Sequence, residues 1–297
     1  MVARVGDGLD DFWDDLLEFI EERRVVPIVG PDILFADPGT GRANLHALLA
    51  IRLAEKLRVR LADGIEPSLD QVAGAFLSQG GRREEIYPRL RAVARDTPFP
   101  IPPALRALAS IDAFDLYVSL TFDSLLAEAI DHARFAGESR TLHLSFCPNR
   151  VEDLPSERAQ LDRPVVYSLF GKLSAAPEYV VTHEDLLEFS TQLQSEVRRP
   201  HLLFDELRAS HLLVIGSALP DWLQRFFLRI TKNRQLSQQR SELEIVVDRE
   251  ARRDDALVAE RAQRPAEGDR GGIRAGAGCR CAGGHGAGER LPQLFAR

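Results

Sequence analysis

Apolar residues recur along this chain in two alternating rhythms, and the alternation predicts its fold class. Leu9, Phe12, Trp13, Leu16, Leu17 and Ile20 fall at helical spacing with acids between them, which predicts an amphipathic opening helix. The run VVPIVG at residues 25–30 is continuously apolar and ends in glycine. With the helix-like LHALLAIRLAEKL beyond the next loop, it forms a strand-loop-helix unit. Short helices are expected across 68–109. DLYVSL at 115–120 reads as a strand with a helix at SLLAEAI, RTLHLSF and PVVYSLFG read as strands, and HEDLLEFSTQL reads as a helix. HLLVIGS at 211–217 is the clearest strand. Leu219, Trp222, Leu223, Phe226, Phe227 and Ile230 then form one helical stripe, with Pro220 and Asp221 suited to its first turn. ELEIVVD closes the set. Strands alternating with helices predict an α/β fold, a doubly wound and mainly parallel sheet of Rossmann-like type with a small helical insertion at about 65–112. In such a sheet the ligand crevice lies beyond the carboxyl ends of the strands.

The rhythm stops near Asp248, which divides the chain into a body at 9–248 and a tail at 249–297. Between Pro265 and Arg290 the only large aliphatic residue is Ile273, so the tail offers too little apolar surface to offset the entropy of ordering it. It is expected to lack a packed structure. Its richness in Gly, Ala, Arg and Pro fits a genuine flexible tail and a GC-rich gene read out of frame equally well. Charge divides at the same place. From Arg249 onward there are ten Arg and no Lys against seven acids, a balance of +3, so residues 1–248 carry −10 of the total −7. An acidic body with no basic stripe interleaved with aromatics argues against nucleic acid as a partner.

The remaining composition narrows the class further. At 44% hydrophobic and 28% charged, the 297 residues are ordinary for a globular protein. No stretch approaches the roughly 20 apolar residues needed to span a bilayer, and the acidic N-terminus is unlike a signal peptide, so a cytoplasmic location away from membranes is expected. Cys147, Cys279 and Cys281 are too few for a disulfide scaffold or a four-thiolate zinc site, and no metal is expected.

Four strand ends carry the candidate chemistry: Gly30-Pro31-Asp32, Thr121-Phe122-Asp123, Phe170-Gly171-Lys172 and Gly216-Ser217. Glycine at the first and last lets backbone approach a phosphate or ribose. Each segment alone also has a plain structural reading, in which the glycine is a turn and Asp123 or Ser217 caps a helix.

Taken in order, VVPIVGPDIL, SLTFDSLL, VVYSLFGKLSAAPEYVVTHEDLLEF and HLLVIGSALPDWLQRFF resemble the divergent SIR2-like domains of bacterial antiphage defence proteins that degrade NAD. The resemblance covers roughly residues 15–248. It implies a site for NAD or a related nucleotide at Gly30, Asp32, Phe122, Asp123, Gly171, Gly216 and Ser217, with Asp123 and Thr121 nearest to any catalysis. It also departs from active members where chemistry matters. Their first segment is Gly-Ala-Gly followed shortly by Ser, whereas here Pro31 and Asp32 follow Gly30, and proline removes an amide. Their Thr-Asn-Phe/Tyr-Asp has Thr121 where the asparagine stands, and a hydroxyl lacks the paired donor and acceptor of an amide. Their His-Gly reads Phe170-Gly171, and phenylalanine cannot accept a proton from a ribose hydroxyl. No other histidine stands out as a substitute. His46 and His132 fall on expected helices, His143 and His211 on strand-like segments, His201 and His183 near helix starts, and His285 in the tail.

Three functions remain open at this level. The first is a degenerate SIR2-like module, a pseudoenzyme that binds a nucleotide and acts as a sensor or assembles homo-oligomers to control an effector, such as a TIR domain farther downstream. The second is an active NAD glycohydrolase using Asp123, Thr121 and a water with an unnamed base. The third is an interaction scaffold with an empty crevice. The four-cysteine zinc module of sirtuin deacylases is not in the sequence, which argues against protein deacylation.

Overall fold

The structure, a computed structural model, describes residues 7–39, 41–60, 67–216, 231 and 244–247. Ser217, the helical stripe at 219–230, Cys279, Cys281 and the 249–297 tail lie outside the described residues. Helix α1 (Asp7–Glu21) leads into β1 (Val25–Val29), all five of whose residues are buried. A hairpin of two-residue strands, β2 (Phe35–Ala36) and β3 (Ala43–Asn44), precedes α2 (Leu45–Leu57). Asn44 starts that helix by accepting from the amides of His46 and Ala47. Three helices follow, α3 (Leu69–Ser78), α4 (Arg83–Arg95) and α5 (Pro103–Ala109). The chain then alternates through β4 (Leu116–Ser119), α6 (Leu125–Arg134), β5 (Leu142–Ser145), β6 (Val165–Ser168), α7 (His183–Gln194), α8 (His201–Ala209), β7 (His211–Ile215) and β8 (Glu244–Val247).

The main sheet has the order β5-β6-β4-β1-β7-β8, and every pairing in it is parallel. Period-two alternation sorts the strand side chains between two cores. Val25, Val29, Tyr117, Val166, Leu213 and Ile215 face the layer of α1 to α6, whereas Val26, Ile28, Val118, Tyr167, Leu212 and Val214 face α7 and α8. From β1 the chain moves to β4 on one side and later returns to β7 on the other. The topological switch therefore falls between β1 and β7.

Proline inside a central strand costs a ladder hydrogen bond unless its missing N–H has no partner to lose. The Val29 carbonyl accepts from the Leu120 amide, so odd-numbered residues of β1 present their polar groups to β4. Pairing with β4 begins only at Ile28, which places Pro27 just below the ladder. Lower still, the Val25 carbonyl accepts from Arg158 Nη2 at 3.2 Å. A side chain from the Arg158–Gln160 turn thus completes the strand edge that the backbone does not.

A second buried polar cluster fastens the α3–α5 layer to α7. Asp185 is 1% exposed and accepts from Arg83 and Tyr87 on α4 and from the amides of Val181 and Thr182. Burial alone would raise its pKa, but the Thr182 amide, Arg83, the Val181 amide and Tyr87 together hold the carboxyl below the usual range. A carboxyl depressed in the fold adds stability above its unfolded pKa of about 4 and loses it as pH falls through the lower folded value. The Asp185 part of the stability is thus expected to be level from pH 7 to about 5 and to fall in acid. Asp185→Asn should flatten that acid slope in urea midpoints measured against pH, and an unchanged slope would show that Asp185 contributes nothing to it.

Candidate functional site

The strand order alone places the four sequence segments side by side at the carboxyl edge, as the ends of β6, β4, β1 and β7. Hydrogen bonds then join neighbours. Leu120 N donates to Val29 O at 2.8 Å, Leu173 N to Phe122 O at 2.9 Å, and Gly30 N to Ile215 O at 2.9 Å. Gly30, Asp32, Thr121, Phe122, Asp123, Phe170, Gly171 and Gly216 therefore share one edge of the sheet.

At the switch point the backbone is paired with itself. Asp32 N donates to Gly216 O at 3.0 Å, and Leu34 N donates to Pro31 O within the Pro31–Ile33 turn. Gly216 has φ +60, and a Cβ there would collide with Ile33. Its glycine is required by this close approach of β7's end to the turn after β1. Asn44 is also committed at both ends of its amide, since its Nδ2 donates to Pro31 O at 2.7 Å while its Oδ1 caps α2. The turn thus offers a ligand no amide at Gly30, Pro31, Asp32 or Leu34.

The second segment is built around Asp123. Its Oδ1 accepts from Leu125 N at 3.1 Å, an Asx-type turn just ahead of α6. Its Oδ2 faces His46 Nε2 across 3.7 Å, and neither atom has a hydrogen-bond partner among the described residues. Burial pushes the Asp123 carboxyl up, but His46, Thr121 and the Leu125 amide outweigh it and hold the group below its ordinary value. His46 reaches this place from the first turn of α2 and stacks on Phe122 with ring centroids 4.7 Å apart. Phe122 in turn touches the Tyr179 ring at 5.1 Å. Thr121, 3% exposed, also meets Ser119, their hydroxyl oxygens lying 2.9 Å apart.

The third segment turns away from this chemistry. Phe170 is 5% exposed and belongs to the apolar core beneath α7 and α8, whereas Phe122 belongs to the opposite core. Gly171 has φ +86, and a Cβ on it would strike the Glu178 carbonyl and Tyr179, so the turn after β6 admits only glycine. Beside it, His143 on β5 bonds Ser168 Oγ through Nε2 at 2.8 Å. Burial first, and then the nearby Lys172 charge, push that imidazole down to about 4 against a smaller opposing pull from Asp123. It is neutral at pH 7.

Sequence reasoning singled out Asp123 but not His46, His143 or Asn44, whose roles depend on contacts between distant segments. His183 lies 69% exposed at the start of α7, where its amide and ring meet Asp70. Among the described residues, no cluster of three or more His, Cys, Asp or Glu could hold a metal, and no helix is long and apolar enough to cross a membrane.

No curated protein matches the sequence. A family model described as a SIR2-like domain matches residues 115–266, beginning just before β4 and taking in the second, third and fourth strand-end segments. SIR2-like domains are NAD-binding folds, and the parallel sheet with its glycine-bearing carboxyl edge has that form. With just over half of its length matched, the chain belongs to the SIR2-like domain family.

Proposed function

We propose that this protein binds NAD or a related nucleotide at the carboxyl edge of its sheet without cleaving it, and acts as a sensor or assembly module in bacterial defence or signalling. The observation that carries the reading is the contrast within one edge. Asp123 keeps a buried, ionised oxygen with no hydrogen-bond partner among the described residues, while Thr121, where active relatives place an asparagine, is held between Ser119 and Asp123, and Phe170, where they place a histidine, lies in the apolar core. Polar capacity to hold a ligand persists, and the proton acceptor does not. A ligand at a hundred times its Kd should stabilise the fold by about 2.7 kcal/mol, or roughly 5–10 °C in Tm for a body of this size. Thermal unfolding in rising NAD and ADP-ribose measures this, and Asp123→Ala should reduce the shift.

A second reading, the interaction scaffold, is favoured by the self-paired switch point, where the amides of Gly30, Asp32 and Leu34 are all taken within the protein. A Tm indifferent to millimolar NAD and ADP-ribose would select it over nucleotide binding.

A further inference from the structure

The nucleotide reading raises a question of charge. A dinucleotide or ADP-ribose brings a pyrophosphate with two negative charges, and most of the turn after β1 is closed to it. The amides of Gly30, Asp32 and Leu34 are paired within the protein, and residue 31 is a proline. The edge also carries the acids Asp32 and Asp123. Within the four strand-end segments, Lys172 is the only cation.

Lys172 is also fixed in place. The residue before it is Gly171, locked by its positive φ against Glu178 and Tyr179, and the residue after it donates its amide to Phe122 O at 2.9 Å. The backbone at 172 is thereby held at the end of β6, beside the segment that carries Asp123. Its side chain is exposed, and among the described residues no carboxylate pairs with it. The histidine on the neighbouring strand, His143, is bonded to Ser168 and stays neutral at pH 7, so it supplies no second positive charge there.

We infer that Lys172 anchors the pyrophosphate of the bound nucleotide from the β6 side, in place of the self-paired turn after β1. The inference rests on the nucleotide-binding reading and assigns the ligand's anionic end to the opposite side of Asp123 from the switch point. An ammonium–phosphate contact is a charge-assisted hydrogen bond, whose loss costs roughly 10-fold or more in affinity.

The test is calorimetric titration of the full chain with ADP-ribose and with adenosine, which lacks the phosphates. Lys172→Glu and Lys172→Ala should weaken ADP-ribose binding about 10-fold or more, Lys172→Arg should stay within a few-fold, and adenosine binding should not change. Lys56→Glu on α2 makes the same charge change away from the strand ends and should leave ADP-ribose binding intact. Equal ADP-ribose affinity in the unmodified chain and Lys172→Glu overturns the role of Lys172 and leaves the binding reading standing. Absence of ADP-ribose and NAD binding in the unmodified chain overturns both. Because the side chain is exposed, unchanged Tm values in the variants would show that affinity rather than folding is being read.

Discussion

Incubated with NAD, the unmodified chain should release nicotinamide at no more than the background rate. The first reason is chemical, since losing a general base typically costs about 10²- to 10⁴-fold and losing a positioning group adds to that unless the two act as one. The second is architectural. Phe170 does not merely stand in the base's place in sequence; its ring is part of the core under α7 and α8. Thr121 is likewise tied to Ser119. Restoring residue types therefore does not restore the site. Thr121→Asn with Phe170→His should stay silent in nicotinamide release and should melt lower, because an imidazole buried among apolar side chains without a partner costs about 1–3 kcal/mol. Product analysis for nicotinamide and ADP-ribose decides the matter. Robust release by the unmodified chain, abolished by Asp123→Ala with the fold intact, would make this an enzyme. His46→Ala and His143→Ala would then identify the base.

How far the sequence could be read depended on what kind of contact was at stake. Apolar runs such as VVPIV, and LYV ahead of Ser119, belong to central strands of a parallel sheet, and buried strands of that kind announce themselves without alternation. Strand ends then fix which loops share an edge, so the sequence alone groups Gly30, Asp123, Gly171 and Gly216. What the strand pattern does not encode is where a side chain points once the strand has ended. Phe170 and Phe122 both follow strands by a few residues, and they enter opposite cores. Contacts between distant segments were equally hidden. His46 meets Asp123 because α2 begins where Asn44 caps it, and that cap is held by Pro31, which leaves no periodic trace. The two-residue strands of the β2–β3 hairpin are too short for any alternation to show.

The amino edge of the sheet makes the second large prediction. Arg158 is 7% exposed at the start of a single 3-10 turn, yet it reaches Asp115 at 2.5 Å, Glu206 and Ser210 at 3.4 Å and the Val25 carbonyl at 3.2 Å. Asp115, Ser210 and Val25 sit where β4, β7 and β1 begin, and Glu206 lies on α8, so one guanidinium ties the starts of three central strands. Removing one partner of a buried ion pair costs about 3–5 kcal/mol, chiefly because the other is left without compensation. Asp115 is 18% exposed and keeps Arg23 at 3.7 Å, which places the expected loss for Arg158→Ala near the lower end, at about 3 kcal/mol. The Tm should drop by roughly 6–12 °C, with the urea midpoint lowered and its slope unchanged. Adding Asp115→Asn to Arg158→Met should recover part of the loss, since it removes the stranded charge while the methionine fills the volume. Below its melting temperature Arg158→Ala should bind ADP-ribose as the unmodified chain does, because the cluster lies at the edge opposite the candidate site. A loss under about 1 kcal/mol would mean that water satisfies Asp115 and Val25 as well as Arg158 does, and that the three strand starts hold together without it.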